Sequence, residues 1–557
     1  MNVEEVQRRL WEQSKEHKDN REASVPFFPT NPYDKRIRNL SDLMHHPVWL
    51  EEAAKRVFRR SKGKAPGIDN VIVSEFRKRE SENIENLRME LKKGTYRPQP
   101  LRRVEIPKAN GTMRRLGIPC LRDKIVQEAI RMMLEPIFEV EFHNNSYGFR
   151  PHRSAHHAVF CCQQAMYHGF SWVIEGDVKA CFDEISHKAI LGVIREKVMD
   201  NKFLDLVRLF LKSGVMVEDV LVPTVKGVPQ GGIISPLLAN AVLNKLDWFL
   251  QKQGNHGKSE RRAYDKKEPN LRFVRYADDW CVFITRANKR YAESLRENIR
   301  KFIKDTCGLE LSVEKTRITH VRDGFDFLGF HLEKGIGQNG KHVPKIKIGR
   351  KAISNIRLRL NETARYRPSQ EDIATRVRKV SSLIRGWSNY FKIAHNFCKV
   401  AGLLDHLAHW AMVKAISRKN DISSGKVHKK FYHKGRIGVT AKETIVRFSD
   451  TKMSLDYRGP VEYEPGKGIY LEDHEWEADL QTYKNRPEQS DLKLEALERD
   501  QYTCRNCGCL VVAETSELDH IIPVHQFAGF KQANTLENVQ TLCLYCHKQK
   551  SRLDYKA

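Results

Sequence analysis

The chain has 557 residues, with 97 lysines and arginines against 70 acids and a net charge of +27. At 30% charged residues and a mean hydropathy of −0.57, no segment is apolar enough to span a bilayer, which argues against a membrane-embedded protein. The length predicts roughly three or four domains, and the positive excess is the electrostatic footprint of a polyanion binder.

Met1-Asn2-Val3-Glu4-Glu5-Val6-Gln7-Arg8-Arg9 lacks a basic head followed by an apolar stretch, so no secretory signal is expected. A reducing location follows, the bacterial cytoplasm or nucleoid, with an organelle matrix as the alternative. There the 12 cysteines should not build a disulfide framework, and clustered ones should hold metal.

The run Ser171-Trp172-Val173-Ile174-Glu175-Gly176-Asp177 reads as a strand that delivers Asp177 at its end. Gly227-Val228-Pro229-Gln230-Gly231-Gly232 reads as a loop opening a helix, where glycines allow close backbone approach to a template or nucleotide. Phe273-Val274-Arg275-Tyr276-Ala277-Asp278-Asp279-Trp280-Cys281-Val282-Phe283-Ile284 reads as a hairpin with two adjacent carboxylates at its tip. Such a pair repels itself unless divalent cations convert the repulsion into binding, and carboxylates together with phosphate oxygens select Mg²⁺. Asp177 with Asp278 and Asp279 therefore suits a two-metal site for in-line nucleotidyl transfer.

Residues 341–450 carry 25 lysines and arginines against 7 acids, two-thirds of the net charge. That stretch is expected to hold RNA. Within it Ser369-Gln370-Glu371-Asp372 reads as a capping box. Ile373, Val377, Val380, Leu383 and Trp387 then recur at helical spacing, with Arg376, Arg378, Lys379 and Arg385 between them as candidate phosphate contacts. Residues 451–500 reverse the sign, with 7 lysines and arginines against 13 acids, and the breakers Gly459-Pro460 and Pro465-Gly466 mark a boundary. Beyond it Cys504-x₂-Cys507 and Cys543-x₂-Cys546 are separated by 35 residues. Four thiolates at that spacing suit a tetrahedral structural Zn²⁺, with Cys509 a competing ligand. Asp519, His520, Asn538 and His547 fall in and just after the gap. Asp519 and His547 can hold a divalent metal, expected to be Mg²⁺, while His520 takes a proton from attacking water.

Taken in order, the polymerase motifs resemble a group II intron-encoded reverse transcriptase–maturase. Further segments carry the resemblance. Pro66-Gly67-Ile68-Asp69 is similar to the family's N-terminal extension. Ile106-Pro107-Lys108 through Met113-Arg114-Arg115-Leu116-Gly117-Ile118-Pro119 and Ser146-Tyr147-Gly148-Phe149-Arg150-Pro151 are similar to its fingers. Leu311-Ser312-Val313-Glu314-Lys315-Thr316, Phe325-Asp326-Phe327-Leu328-Gly329-Phe330 and Arg385-Gly386-Trp387-Ser388-Asn389-Tyr390-Phe391 follow in the family's order. The resemblance implies that Asp177 and Asp278 ligate metal while Asp279 supports the site. It places Lys108, Arg114 and Lys315 at the incoming nucleotide, Phe182 beneath its sugar and Gln230 in its pocket. The C-terminal set resembles an HNH, or ββα-metal, endonuclease.

The expected fold is α+β. A right-hand polymerase would have an N-terminal extension of the fingers at 1–85 and fingers and palm at 86–340. An α-helical thumb or maturase domain would follow at 341–450, a linker or DNA-binding region at 451–490 and a zinc-containing HNH domain at 491–557. The implied work is copying intron RNA into DNA, helping that RNA splice and nicking a double-stranded DNA target to prime synthesis. The partners are intron RNA, target DNA and dNTPs, with no membrane. A splicing-only maturase and a host-retained defence polymerase are the alternatives.

Overall fold

The computed structural model describes residues 1–22, 36–60, 65–107, 113–217, 220–254, 268–312, 316–337, 340–365, 372–454, 463, 491–509, 511, 516–521, 535–543, 546–547 and 550. Lys108 and Lys315, both expected at the nucleotide, lie outside these residues. The chain divides into two compact units, one of 1–154, 174–318 and 459–557, the other of 155–173 and 319–458. It is an α+β protein, and among the described residues no helix is long and apolar enough to cross a membrane.

The strands that lie in the first unit, or cross its boundary as β3 and β8 do, are β1 (Leu101–Pro107), β2 (Met113–Ile118), β3 (Trp172–Asp177), β4 (Val215–Val217), β5 (Val220–Val222), β6 (Asn270–Tyr276), β7 (Asp279–Thr285) and β8 (Arg317–His320). They form two sheets, ordered β2-β1-β4-β5 and β6-β7-β3-β8. The second carries the acids. β6 is buried from Asn270 to Arg275 and β7 from Trp280 to Ile284, as expected of aromatic and β-branched runs covered on both faces. The helix Leu121–Glu139 is buried along nearly its whole length, its charges included. Those charges are matched: Glu128 accepts from Arg60 at 2.7 Å and from Arg131 at 2.8 Å, and Glu139 accepts from Arg150 at 2.8 Å. A buried charge left unpaired here would cost several kcal/mol.

Near the C-terminus of the same unit, the helix Asp491–Arg499 leads to an antiparallel pair, Ser516–His520 with Val539–Cys543. Cys546, His547 and Lys550 are helical, giving the strand-strand-helix order expected of a ββα-metal module.

The second unit holds a sheet ordered Phe325–Phe327, Phe330–Ile336 and His342–Ile348, with Phe330–Ile336 central, and the helices Ala155–Tyr167, Arg350–Ala364, Ile373–Phe391, Phe397–Asn420 and Ser424–Phe431. Its core gathers aromatic rings, Phe330 lying 5.4 Å from Tyr390 and 5.0 Å from Phe391. The Ile373–Phe391 helix begins later than its capping-box reading. Asp372 is the cap, its Oδ1 accepting from Thr375 N at 2.7 Å, while Ser369 lies outside the described residues. The buried stripe runs through Val377, Val380, Ile384 and Phe391, so Ile384 replaces Leu383 at the centre of the face.

Candidate functional site

A two-residue turn, Ala277-Asp278, closes the β6–β7 hairpin, with Tyr276 paired to Asp279. Ala277 sits in the left-handed region at φ 57°, a conformation that costs a residue with a Cβ about 1 kcal/mol. What holds it there is Arg275, which is fully buried. Its guanidinium donates to both carboxylate oxygens of Asp247 at 2.7 and 2.6 Å, to Asn240 Oδ1 at 2.8 Å and to the Ala277 carbonyl at 2.9 Å. Gly148 packs on the same turn, where an added Cβ would stand 2.4 Å from Ala277 N. The carboxylate tip is thus braced from below.

β3 runs beside β7. Gly176 makes the approach feasible, since a Cβ there would lie 2.0 Å from the Trp280 ring. Asp177 and Asp278 are half-buried and Asp279 is exposed. The buried thiol of Cys181 registers both inner acids: burial pushes it up to about 12, and the negative charges of Asp278 and Asp177 add to that push. Two half-buried carboxylates, one at the end of β3 and one in the turn beside it, suit a pair of hard divalent cations.

Three other segments border this point. The Asp177 carbonyl accepts from Ser312 N at 2.9 Å, which brings the Leu311-Ser312 motif alongside β3. Phe182 is half-buried in the turn after β3, and its carbonyl accepts from Val228 N at 2.6 Å. The glycine-rich loop is thereby docked on that turn. Gln230 then joins turn and fingers, its Nε2 donating to Asp183 Oδ2 at 3.2 Å and its carbonyl accepting from Gly117 N on β2 at 2.7 Å. Gly231 has a φ of 118°, and a Cβ there would lie 2.6 Å from the Gly117 carbonyl, so only glycine lets loop and strand meet. Arg114, on the same strand, is exposed and opposite Ile106. The fold gathers Asp177, Phe182, Gln230 and Asp278 around neighbouring loops that the chain separates by up to a hundred residues.

In the C-terminal module, Asp519 is buried and its Oδ1 lies 3.9 Å from His547 Nε2. Its other oxygen accepts from Gln540 at 2.8 Å and faces Lys550 Nζ at 3.1 Å. His520 is half-buried and paired across the strands with Val539, and buried Asn538 follows in register, its carbonyl accepting from Ile521 N at 2.7 Å. Asp519, His520, Asn538 and His547 therefore share one end of the hairpin. The cysteines gather separately. The sulfurs of Cys504, Cys507, Cys509 and Cys543 lie within 4.8 Å of one another, and Cys507 and Cys543 stand 3.7 Å apart, close to the edge of about 3.8 Å that a tetrahedron with metal–sulfur bonds of about 2.3 Å requires. The Cys504 thiol is held far below its ordinary range by hydrogen bonds from Cys507 first, then Cys509, Cys543 and Cys546. These residues fit a thiophilic metal.

A family model described as reverse transcriptase (RNA-dependent DNA polymerase) matches residues 106–332. One described as group II intron, maturase-specific domain matches 353–432, and one described as HNH endonuclease matches 504–553. The chain is 39% identical over 318 residues to protein YkfC of Escherichia coli, covering 53% of this chain and 83% of that one. Over 553 residues it is 28% identical to the group II intron-encoded protein LtrA of Lactococcus lactis, covering 84% and 88%. The chain belongs to the group II intron-encoded reverse transcriptase–maturases. It is an RNA-directed DNA polymerase and a DNA endonuclease joined through a maturase domain, and intron RNA binding comes with that membership.

In this maturase domain the four candidate phosphate contacts part company. Arg378, Lys379 and Arg385 are exposed. Arg376 is not: it is buried, and its Nη1 donates to the carbonyls of Ala364 and Arg365 at 3.2 and 2.7 Å. It closes the end of the Arg350–Ala364 helix, where unpaired carbonyls need a donor, so its place in the phosphate set is withdrawn. The reverse transcriptase's Arg275 and Asp247 were missed by sequence reasoning, although a signal was present. Each is a charge inside an apolar run, Phe273-Val274-Arg275 and Leu246-Asp247-Trp248, and such charges are kept where they find each other.

Proposed function

We propose that Asp177 and Asp278 form the polymerase metal site with Asp279 supporting it, and that the nucleotide lies against Phe182, Gln230 and Arg114, with Lys108 and Lys315 completing the grip. A pair of Mg²⁺ ions would supply activation of the primer 3′-hydroxyl and neutralisation of the departing pyrophosphate. The chain's own residues do the positioning. The Ala277 turn aims Asp278, the Gln230 loop sets the distance between fingers and palm, and the Phe182 ring occupies the space a 2′-hydroxyl would need. The observation that carries this reading is the sheet order, in which β3, ending at Asp177, lies against β7 with Gly176 under the Trp280 ring and Asp278 in the adjoining turn.

The second activity belongs to the C-terminal hairpin, where His520 takes the proton of attacking water, Asp519 and His547 hold a divalent ion, expected to be Mg²⁺, and Asn538 orients the loop. The cysteine cluster would hold a structural Zn²⁺. The protein then binds its intron RNA, helps it splice, nicks double-stranded target DNA and extends the freed 3′-end with dNTPs in the cytoplasm. Domain limits of 1–85, 86–340, 341–450, 451–490 and 491–557 are the working division.

Two variants test the assignment. Asp278→Ala should abolish cDNA synthesis on an RNA template while nicking and intron RNA binding persist, and His520→Ala should abolish nicking while extension of a supplied primer persists. Wild-type cDNA synthesis by Asp278→Ala would refute the metal site. Loss of both activities in a folded His520→Ala protein would refute the separation of the two centres.

A further inference from the structure

Arg272 stands three positions before Arg275 on β6, and strand alternation turns it to the opposite face, away from the Ser235–Gln253 helix that holds Arg275. It is buried, and its Nη2 donates to Thr503 Oγ1 at 2.8 Å, 231 residues further along the chain. Thr503 is buried too and adjoins Cys504 in the nuclease module. We propose that this module docks on the polymerase hairpin through Thr503 and Arg272, and that the docking couples nicking to extension by keeping both centres in one compact unit. The coupling rests on the reading that the module nicks target DNA.

A guanidinium in an apolar strand is retained only where it is matched. Arg275 meets Asp247 inside the polymerase, whereas Arg272 meets a hydroxyl of the nuclease module. Thr503 Oγ1 donates its own proton to the Gln501 carbonyl at 3.0 Å, which leaves its lone pairs for the guanidinium. The turn before Thr503 is strained. Gln501 and Tyr502 adopt φ of 53° and 52° in succession, a conformation that residues with a Cβ keep only where their surroundings impose it. The module's own backbone imposes it here, since Tyr502 N donates to the Leu497 carbonyl at 2.8 Å and the Tyr502 carbonyl accepts from Val511 N at 2.8 Å. The grouping of the chain agrees: residues 459–557 join the compact unit that holds β6, not the 319–458 segment that precedes them.

β6 ends four residues beyond Arg272 at Tyr276, next to the Ala277-Asp278 turn. The anchor and the catalytic turn therefore share one strand. With both centres in one unit, capture of the nicked 3′-end is intramolecular, and such a step depends on effective concentration.

The test uses the full-length protein bound to its intron RNA. Thr503→Val keeps the shape and removes the acceptor, while Arg272→Met removes the donor from the polymerase side, away from Cys504. Each variant should nick target DNA and extend a supplied primer at rates near those of wild type, but the cDNA made per nick should fall at least about tenfold. The double variant should be no worse than either single one, as for two partners in one contact. Unchanged cDNA per nick, or losses that add in the double variant, would overturn the coupling. Loss of extension from a supplied primer in both single variants would make the pair a stability contact and overturn it equally. Docking is read apart from chemistry by amide hydrogen exchange. Residues 270–275 should exchange faster in Thr503→Val, and residues 500–505 faster in Arg272→Met. Unchanged exchange in both would overturn the docking. A wild type that never nicks would refute the nuclease reading, and the exchange result would still decide the docking.

Discussion

At the scale of single residues, Phe182 and Asp123 make separable predictions. Phe182 follows Asp177 by five positions, in the turn on which the Gln230 loop docks, so its ring is placed to reject a ribose by crowding, without a hydrogen bond. Phe182→Ala should improve ribonucleotide use relative to deoxynucleotides by about 10- to 100-fold, the equivalent of about 1–3 kcal/mol of discrimination. Competing rNTP and dNTP incorporation on one primer–template measures it, and an unchanged ratio would assign the ring to packing. Asp123 concerns stability. Burial raises its carboxyl to about 6, although Tyr96 Oη at 2.6 Å and Gln99 N at 3.0 Å donate to it. A carboxyl raised in the fold binds its proton more tightly there than in the unfolded chain. Its contribution to stability is full below the unfolded value of 3.8 and is lost as pH rises through about 6. Asp123→Asn keeps an acceptor and removes the titration. Its melting temperature should therefore fall less than that of wild type between pH 4 and pH 6.5, and parallel pH profiles would show that Asp123 is not raised.

At the scale of elements, the β6–β7 hairpin depends on a group outside its own sequence motif. Arg275 ties the Ala277 carbonyl to Asp247 on the Ser235–Gln253 helix, so the carboxylate tip inherits its rigidity from that helix. Arg275→Lys keeps the buried charge but cannot span both partners in a fork. The rate of primer extension should fall at least about tenfold and the Mg²⁺ concentration for half-maximal activity should rise, with RNA affinity unchanged. A lowered melting temperature with an unaltered Mg²⁺ dependence would make Arg275 a stability residue alone. The Ile373–Phe391 helix illustrates the converse. Its helical period was legible, yet arginines two to nine positions apart on it met different fates. Arg376 turned inward because the neighbouring helix ends beside it with open carbonyls.

At the scale of the whole molecule, the charge excess of the 341–450 stretch is the feature with an ionic-strength signature. Reversing Arg378, Lys379 and Arg385 should weaken intron RNA binding and lower the slope of log K against log salt by about 0.7 to 0.9 for each phosphate no longer neutralised. Arg376 is excluded from that set because its replacement would open a helix end. Filter binding across a salt series decides the matter, and an unchanged slope would make the exposed arginines a solvated face.

The sequence by itself determined the α+β class, the family and the order of its chemistry, because these reside in local signals. Acids at strand ends, paired cysteines and a basic helical stretch each carry their meaning within a few residues. Tertiary structure alone decided which of those residues meet. Spacing could not reveal that Gln230 bridges Asp183 and β2, since that bridge depends on where a loop lands. Nor could it reveal that Arg275 and Asp247 brace the catalytic turn, because a charge in an apolar run announces that a partner exists without naming it. The cysteines show the limit most plainly. Spacing paired four cysteines, while a single left-handed glycine, Gly508, bends the chain to bring a fifth sulfur, that of Cys509, against them. Backbone direction at one residue is a property of the fold, and no spacing motif records it.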